Sequence, residues 1–117
     1  MERLCFLIHL FEDAGAEYDQ RHDDIWPEME EAVAAAGFRN YSLFRLGELA
    51  VGYAECEPDI ETVLEKMATF DVEHKWNASL VHVIKNAAGD NGGKLPVIEY
   101  VNSTAEKVGK GNTRVPN

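Results

Sequence analysis

"NYSLFRLGELAVGYAEC", residues 40–56, is the stretch on which the fold turns. Two runs rich in β-branched, aromatic and aliphatic residues flank Gly47-Glu48, so "NYSLFRL" (40–46) and "LAVGYAEC" (49–56) read as strands joined by a tight hairpin. Successive side chains of a strand point to opposite sides. Tyr41 therefore shares one face with Leu43, while Phe44 and Leu46 take the other.

Upstream, "RLCFLIHL" (3–10) reads as a buried strand, and residues 13–36 read as helical with one break at Pro27. Proline's fixed φ and missing N–H suit the first turn of a new helix, so Trp26-Pro27 marks a kink or restart. Met29, Val33 and Ala36 then keep one apolar face, and Gly37 is a natural stop. Downstream, Pro58-Asp59 open a helix with Ile60, Val63, Leu64 and Met67 on one side. A further helix is expected from Asp71 to Asn86, with Val72, Trp76, Leu80 and Val83 as its face. "GDNGGK" (89–94) reads as a flexible loop and "PVIEYV" (96–101) as a last strand.

The order is βαββαβ, which predicts a ferredoxin-like α+β domain over residues 1–101, an antiparallel sheet with helices on one face. The other face of so small a sheet must meet something, and a second copy is the simplest cover. A homodimer packed sheet against sheet, a dimeric α+β barrel, is the expectation. The polar tail, 102–117, either wraps the partner or is disordered.

The chain has 117 residues, enough for one domain with a core, and a formal net charge of -10. Its 11 Lys and Arg form no cluster, so nucleic acid and anionic membrane surfaces are poor partners and a neutral or cationic small molecule fits better. Cys5 and Cys56 each lie in an apolar, strand-like run and read as free thiols in a reducing cytoplasm. The run 4–11 before Ala14-Gly15-Ala16 imitates a signal peptide faintly, but His9, Glu12 and Asp13 break the pattern, and nothing reaches the length of a membrane span.

"EYDQRHDDIWPEMEEA" (17–32) carries more than a covering helix requires. Tyr18 and His22 stand four apart and project together from one helical face. They are either a partly buried pair satisfied by nearby carboxylates or groups aimed at a ligand. Tyr41 reads as core, interface or ligand contact; Trp76 as a core anchor; and Asn77 as surface or a hydrogen-bonding rim. His9, His74 and His82 lack the reinforcing spacing of metal ligands, so no metal is expected. No Gly-rich phosphate loop follows a strand and no G-x-S-x-G occurs, which argues against nucleotide binding, phosphoryl transfer and acyl transfer.

Taken together, "EYDQRHDDIWPEMEEAVAAAGFRNYSLF" and "TFDVEHKWNASL" resemble the L-rhamnose mutarotase family, with its Y-x-x-x-H-x-x-x-W-P-E segment, the N-Y-x-[IL] strand soon after it and a downstream T-x-D…WW helix. The likeness runs from the first strand to about Val101 and includes Asp90-Asn91 and the closing "EYV". It implies a dimeric protein that interconverts the anomers of a 6-deoxyhexopyranose with no cofactor. By position, His22 matches the family's proton donor, and Tyr18, Tyr41 and Trp76 match its sugar-binding residues. Asn77 stands where the family has a second tryptophan, exchanging an aromatic surface for an amide.

The chemistry suits these residues. Opening the ring needs a proton delivered to the ring oxygen and another removed from the anomeric hydroxyl, and imidazole exchanges protons near neutrality. The opposing base stays open among Glu28, an ordered water and a tyrosine. Two other readings compete: a cofactor-free oxygenase on the same scaffold, and a non-catalytic dimeric binding module in which Tyr18, His22 and Trp76 merely pack.

Overall fold

The structure, a computed structural model, describes residues 1–85 and 95–104. The elements run β1 (Glu2–His9), α1 (Gly15–Asp23), α2 (Pro27–Ala36), β2 (Phe38–Leu46), β3 (Leu49–Cys56), α3 (Ile60–Ala68), α4 (Asp71–Ser79) and β4 (Val97–Ile98). The strands form one antiparallel sheet in the order β2-β3-β1-β4, the ferredoxin-like arrangement that the βαββαβ order predicts.

Alternation fixes the two faces of this sheet. Leu4, Phe6 and Ile8 of β1 pair with Ala54, Gly52 and Ala50 of β3, and all are buried beneath the helices. Small residues on β3 leave room for the larger ones on β1. Gly52 carries this furthest: a Cβ there would stand 2.3 Å from Cζ of Phe6, so the phenyl ring lies directly on the glycine backbone. The opposite face holds Cys5, Leu7, Val51, Phe44 and Leu46, the last two 64% and 84% exposed.

The helix breaks follow local chemistry. Pro27 occupies the first turn of α2 after an extended Trp26, so the missing N–H removes a donor that would have had no helical partner. Gly37 ends α2 at φ +113°, and a side chain there would meet the Glu57 carbonyl oxygen at 2.3 Å. Asp59 caps α3, its carboxylate accepting from the Thr62 N–H at 2.7 Å. Val63 and Met67 of α3 are buried with Met29, Ala32 and Ala36 of α2 in one core.

Three boundaries differ from expectation. The late helix, expected to run from Asp71 to Asn86, ends at Ser79. The Ser79 hydroxyl turns back to the Trp76 carbonyl at 2.6 Å, and the Leu80 N–H bonds Asn77 in a tightened last turn. Leu80 and Val83 are buried all the same, in the turns that follow, and Ile84 bridges Leu10 beyond β1. The last strand is two residues, Val97–Ile98, where 96–101 was expected; its register to β1 is Cys5↔Ile98 and Phe6↔Val97. β2 starts at Phe38, ahead of the expected residue 40. The loop 89–94 and the tail beyond residue 104 lie outside the described residues.

Candidate active site

A break in β2 decides where the site forms. Arg39 pairs with Glu55 and Ser42 with Tyr53, so Asn40 and Tyr41 together oppose the single residue Ala54, and Asn40 takes φ +52°. This is a β-bulge, with the asparagine in the left-handed conformation it tolerates better than most residues. The extra residue lets Phe38 and Tyr41, three apart, face the same side. Their rings meet edge to face at 5.3 Å, and Tyr41 meets Phe6 at 6.1 Å. Tyr41 is 41% exposed as a whole, yet burial is the main cause that pushes its phenol above the ordinary range, followed by Tyr18 and Glu73. Tyr41 lines the cavity with its ring against Phe6 and Phe38.

Between the helices and the sheet lies a cavity of about 530 Å³, a volume suited to a small molecule. Its polar groups come from Tyr18, His22, Tyr41, Glu73, Asn77 and the indole of Trp76, and the remaining lining is aliphatic, phenylalanine and methionine. The expected residues Tyr18, His22, Tyr41, Trp76 and Asn77 thus all meet in one cavity.

His22 is held from two sides. Its ring leans on Tyr18 with centroids 4.3 Å apart and the planes tilted by 39°, and it meets Trp76 edge to face at 5.4 Å. Nδ1 lies 2.9 Å from the Tyr18 carbonyl oxygen. A carbonyl only accepts, so Nδ1 carries a hydrogen and Nε2 is left as the exchangeable nitrogen. Burial lowers the His22 pKa below its ordinary 6.5, opposed in part by that same hydrogen bond. Tyr18, 2% exposed, has its phenol pushed upward, again chiefly by burial. Its hydroxyl has no hydrogen-bond partner among the described residues. An orphaned buried hydroxyl on a cavity wall is a group waiting for a ligand's polar atom.

The wall around these groups is braced. Arg45 of β2 grips Asp19 of α1 with two hydrogen bonds, 2.7 and 2.6 Å, and this pairing is the chief cause that lowers the Asp19 pKa. Arg21 lies 5.4 Å from the Trp76 ring centre and donates to the Ser79 carbonyl and hydroxyl, tying α1 to the end of α4. Trp26, at the break before Pro27, packs edge-on against Trp76 at 5.1 Å. The aromatic residue and proline of "EYDQRHDDIWPEMEEA" therefore serve the wall that His22 belongs to.

Glu73 was not among the residues singled out in the sequence. Its signal was its place on α4, three before Trp76 and four before Asn77. The other histidines stay apart: His74 bonds the Ala68 carbonyl and His82 bonds Glu17. Among the described residues no three His, Cys, Asp or Glu side chains gather as a metal site, and no helix is long and apolar enough to cross a membrane. Cys5 and Cys56 are free thiols on opposite faces of the sheet.

Fold and site together define an α+β protein with a small-molecule cavity between helices and sheet. The family model described as L-rhamnose mutarotase matches residues 3–103. An L-rhamnose mutarotase of Bacillus subtilis is 39% identical over 85 residues, covering 73% of this chain and 82% of that one. Another, from Listeria monocytogenes, is 33% identical over 86 residues, 74% and 83% of the two chains. A crystal structure of an L-rhamnose mutarotase from Formosa agariphila superposes with a TM-score of 0.73 at 23% identity, over 88% of this chain and 98% of that one, a likeness of fold. The chain belongs to the L-rhamnose mutarotase family and is an isomerase by class.

Proposed function

We propose that this protein interconverts the α and β anomers of L-rhamnopyranose, or of a related 6-deoxyhexose, by acid-base chemistry that asks for no cofactor. The observation that carries the reading is the convergence of His22, Tyr18 and Trp76 on one cavity wall in a chain of this family. The C–H face of the pyranose lies on Trp76, whose indole offers a flat apolar surface. Tyr18, Tyr41 and Asn77 take hydrogen bonds from or give them to its hydroxyls, and the Tyr18 hydroxyl, unpartnered among the described residues, gains a partner on binding.

His22 exchanges a proton with the ring oxygen through Nε2, giving it as the C1–O5 bond breaks and regaining it when the ring closes on the other face. General acid catalysis of this kind contributes about 10²- to 10⁴-fold. That is enough for a reaction that already proceeds slowly in water. The oxygenase and binding-module readings have no support from the relatives, which are named mutarotases.

The active species on this reading is a homodimer in the cytoplasm. Phe44, Leu46, Val51, Leu7 and Ile98 leave an apolar strip on the uncovered sheet face, and a second copy of that face buries it. Two free thiols suit a reducing compartment.

Saturation-transfer NMR tests the activity directly. Purified protein is expected to speed exchange between the two anomeric resonances of L-rhamnose well above the buffer rate. Exchange at the buffer rate would defeat the proposal.

A further inference from the structure

Opening a hemiacetal ring moves two protons in opposite senses, and His22 serves only one of them. The other transfer needs a group on the same cavity. Glu28 is exposed on α2 and lies off the lining. The phenols of Tyr18 and Tyr41 are both pushed upward by burial, so neither supplies a phenolate near neutrality.

Glu73 is the one carboxyl among the described residues that line the cavity. It stands in the first turn of α4, on the face that presents Trp76 and Asn77. Asn77, four residues on, lines the same cavity, and its amide acts to lower the Glu73 pKa against the larger rise from burial. That amide takes the place of a ring and so supplies a donor where the family has an apolar surface. We propose that Glu73 is the second proton-transfer residue of this enzyme, working opposite His22 across the bound pyranose. The role rests on the mutarotase reading above.

The step balances without any further reactant. Glu73 carboxylate takes the proton of the anomeric hydroxyl while the His22 imidazolium gives its proton to O5. The C1–O5 bond breaks, its electrons go to O5, and C1 becomes an aldehyde. After rotation about C1–C2, O5 attacks the other face of C1, returns its proton to His22, and the carbonyl oxygen recovers the proton from Glu73. One proton shared by the pair is the working state.

Burial drives the two groups toward each other, lowering His22 and raising Glu73 from its ordinary 4.5, so less free energy separates the two protonation arrangements. The groups around Glu73 are few: His74 and Asn77 on α4, Tyr41 on β2, and Tyr18 and His22 on α1. The lining from β1, α2, α3 and residues 95–97 carries no charge.

The experiment compares anomeric exchange of L-rhamnose by wild type, Glu73→Gln, Asn77→Ala and the exposed control Glu28→Gln, from pH 4 to 8, with thermal melts of each. Expected are a bell-shaped wild-type profile centred below the ordinary histidine value, and a kcat for Glu73→Gln lower by about 10²- to 10⁴-fold with its low-pH limb gone. Asn77→Ala should move the low-pH limb upward, because the neighbouring amide that lowers the Glu73 pKa is lost. Glu28→Gln should match wild type. A folded Glu73→Gln with kcat less than about tenfold below wild type, or with the low-pH limb intact, overturns the role of Glu73 alone. Wild type that fails to exchange anomers overturns the mutarotase reading and this role with it.

Discussion

His22 rests on Tyr18 with ring centroids 4.3 Å apart while its Nδ1 donates to the carbonyl of that same residue at 2.9 Å. One helical turn thus fixes both the tilt and the tautomer of the imidazole, and the burial that results is the main cause of its lowered pKa. Between that lowered value and the ordinary 6.5, the unfolded chain binds more protons than the folded one. Stability therefore rises with pH through this window and is lost as pH falls. Glu73 acts in the opposite sense: its raised pKa makes the folded state the better proton binder above 4.5, so stability falls as pH climbs from there through the folded value. Thermal melts across this range should show His22→Gln flattening the loss on the acid side of 6.5 and Glu73→Gln flattening the loss above 4.5. Slopes identical to wild type in both would contradict these environments.

Tyr18→Phe separates stability from recognition. Among the described residues the Tyr18 hydroxyl is buried without a partner, a situation that costs about 1–3 kcal/mol. The variant should melt at or above the wild-type temperature. Its affinity for L-rhamnose, by calorimetry, should fall by about fivefold, the worth of roughly 1 kcal/mol. A destabilised variant that binds normally would contradict the assignment of that hydroxyl to the ligand.

Gly52→Ala tests the floor of the cavity. The new methyl group would stand 2.3–2.8 Å from three atoms of the Phe6 ring, which would be forced toward Tyr41. Overpacking of this kind typically costs about 1–3 kcal/mol. Chemical denaturation should report a loss in that range, and sugar binding should weaken as the cavity narrows. A neutral effect on both would mean that the ring has room to move.

Phe44→Glu tests the uncovered sheet face. Phe44 is 64% exposed beside Leu46 in a single chain, and a carboxylate buried at a two-fold interface would have no partner. Analytical ultracentrifugation should find wild type as a dimer and the variant as a folded monomer. A monomeric wild type would remove the dimer from the account.

The parts of the fold that the sequence made legible are those where one residue type admits one geometry. Pro27 and Gly37 bracket α2, Asp59 caps α3, and the alternation of β1 and β3 separates Leu4, Phe6 and Ile8 from Cys5 and Leu7. The end of α4 carried no such mark. Its stop lies in a Ser79 hydroxyl turned onto the Trp76 carbonyl, a local bond that the apolar periodicity running on through Leu80 and Val83 concealed.

The bulge at Asn40 was hidden for a related reason, since only the pairing with β3 shows two residues opposing one. Without it Phe38 and Tyr41 would face opposite ways. Spacing alone put Tyr18 and His22 on one helical face, while their site roles came from the resemblance to the family. Glu73 was legible from neither, because "VEHK" looks like any solvated helix face until the sheet beneath it is known.

The central claim is that the Nε2 of His22 lends a proton to a pyranose ring oxygen. Saturation transfer between the anomeric resonances of L-rhamnose, recorded for wild type and His22→Ala at equal protein concentration, tests it most directly. The account predicts rapid exchange with wild type and a rate for the variant lower by about 10²-fold or more, with its size in solution unchanged. A His22→Ala protein that exchanges the anomers as fast as wild type would contradict it.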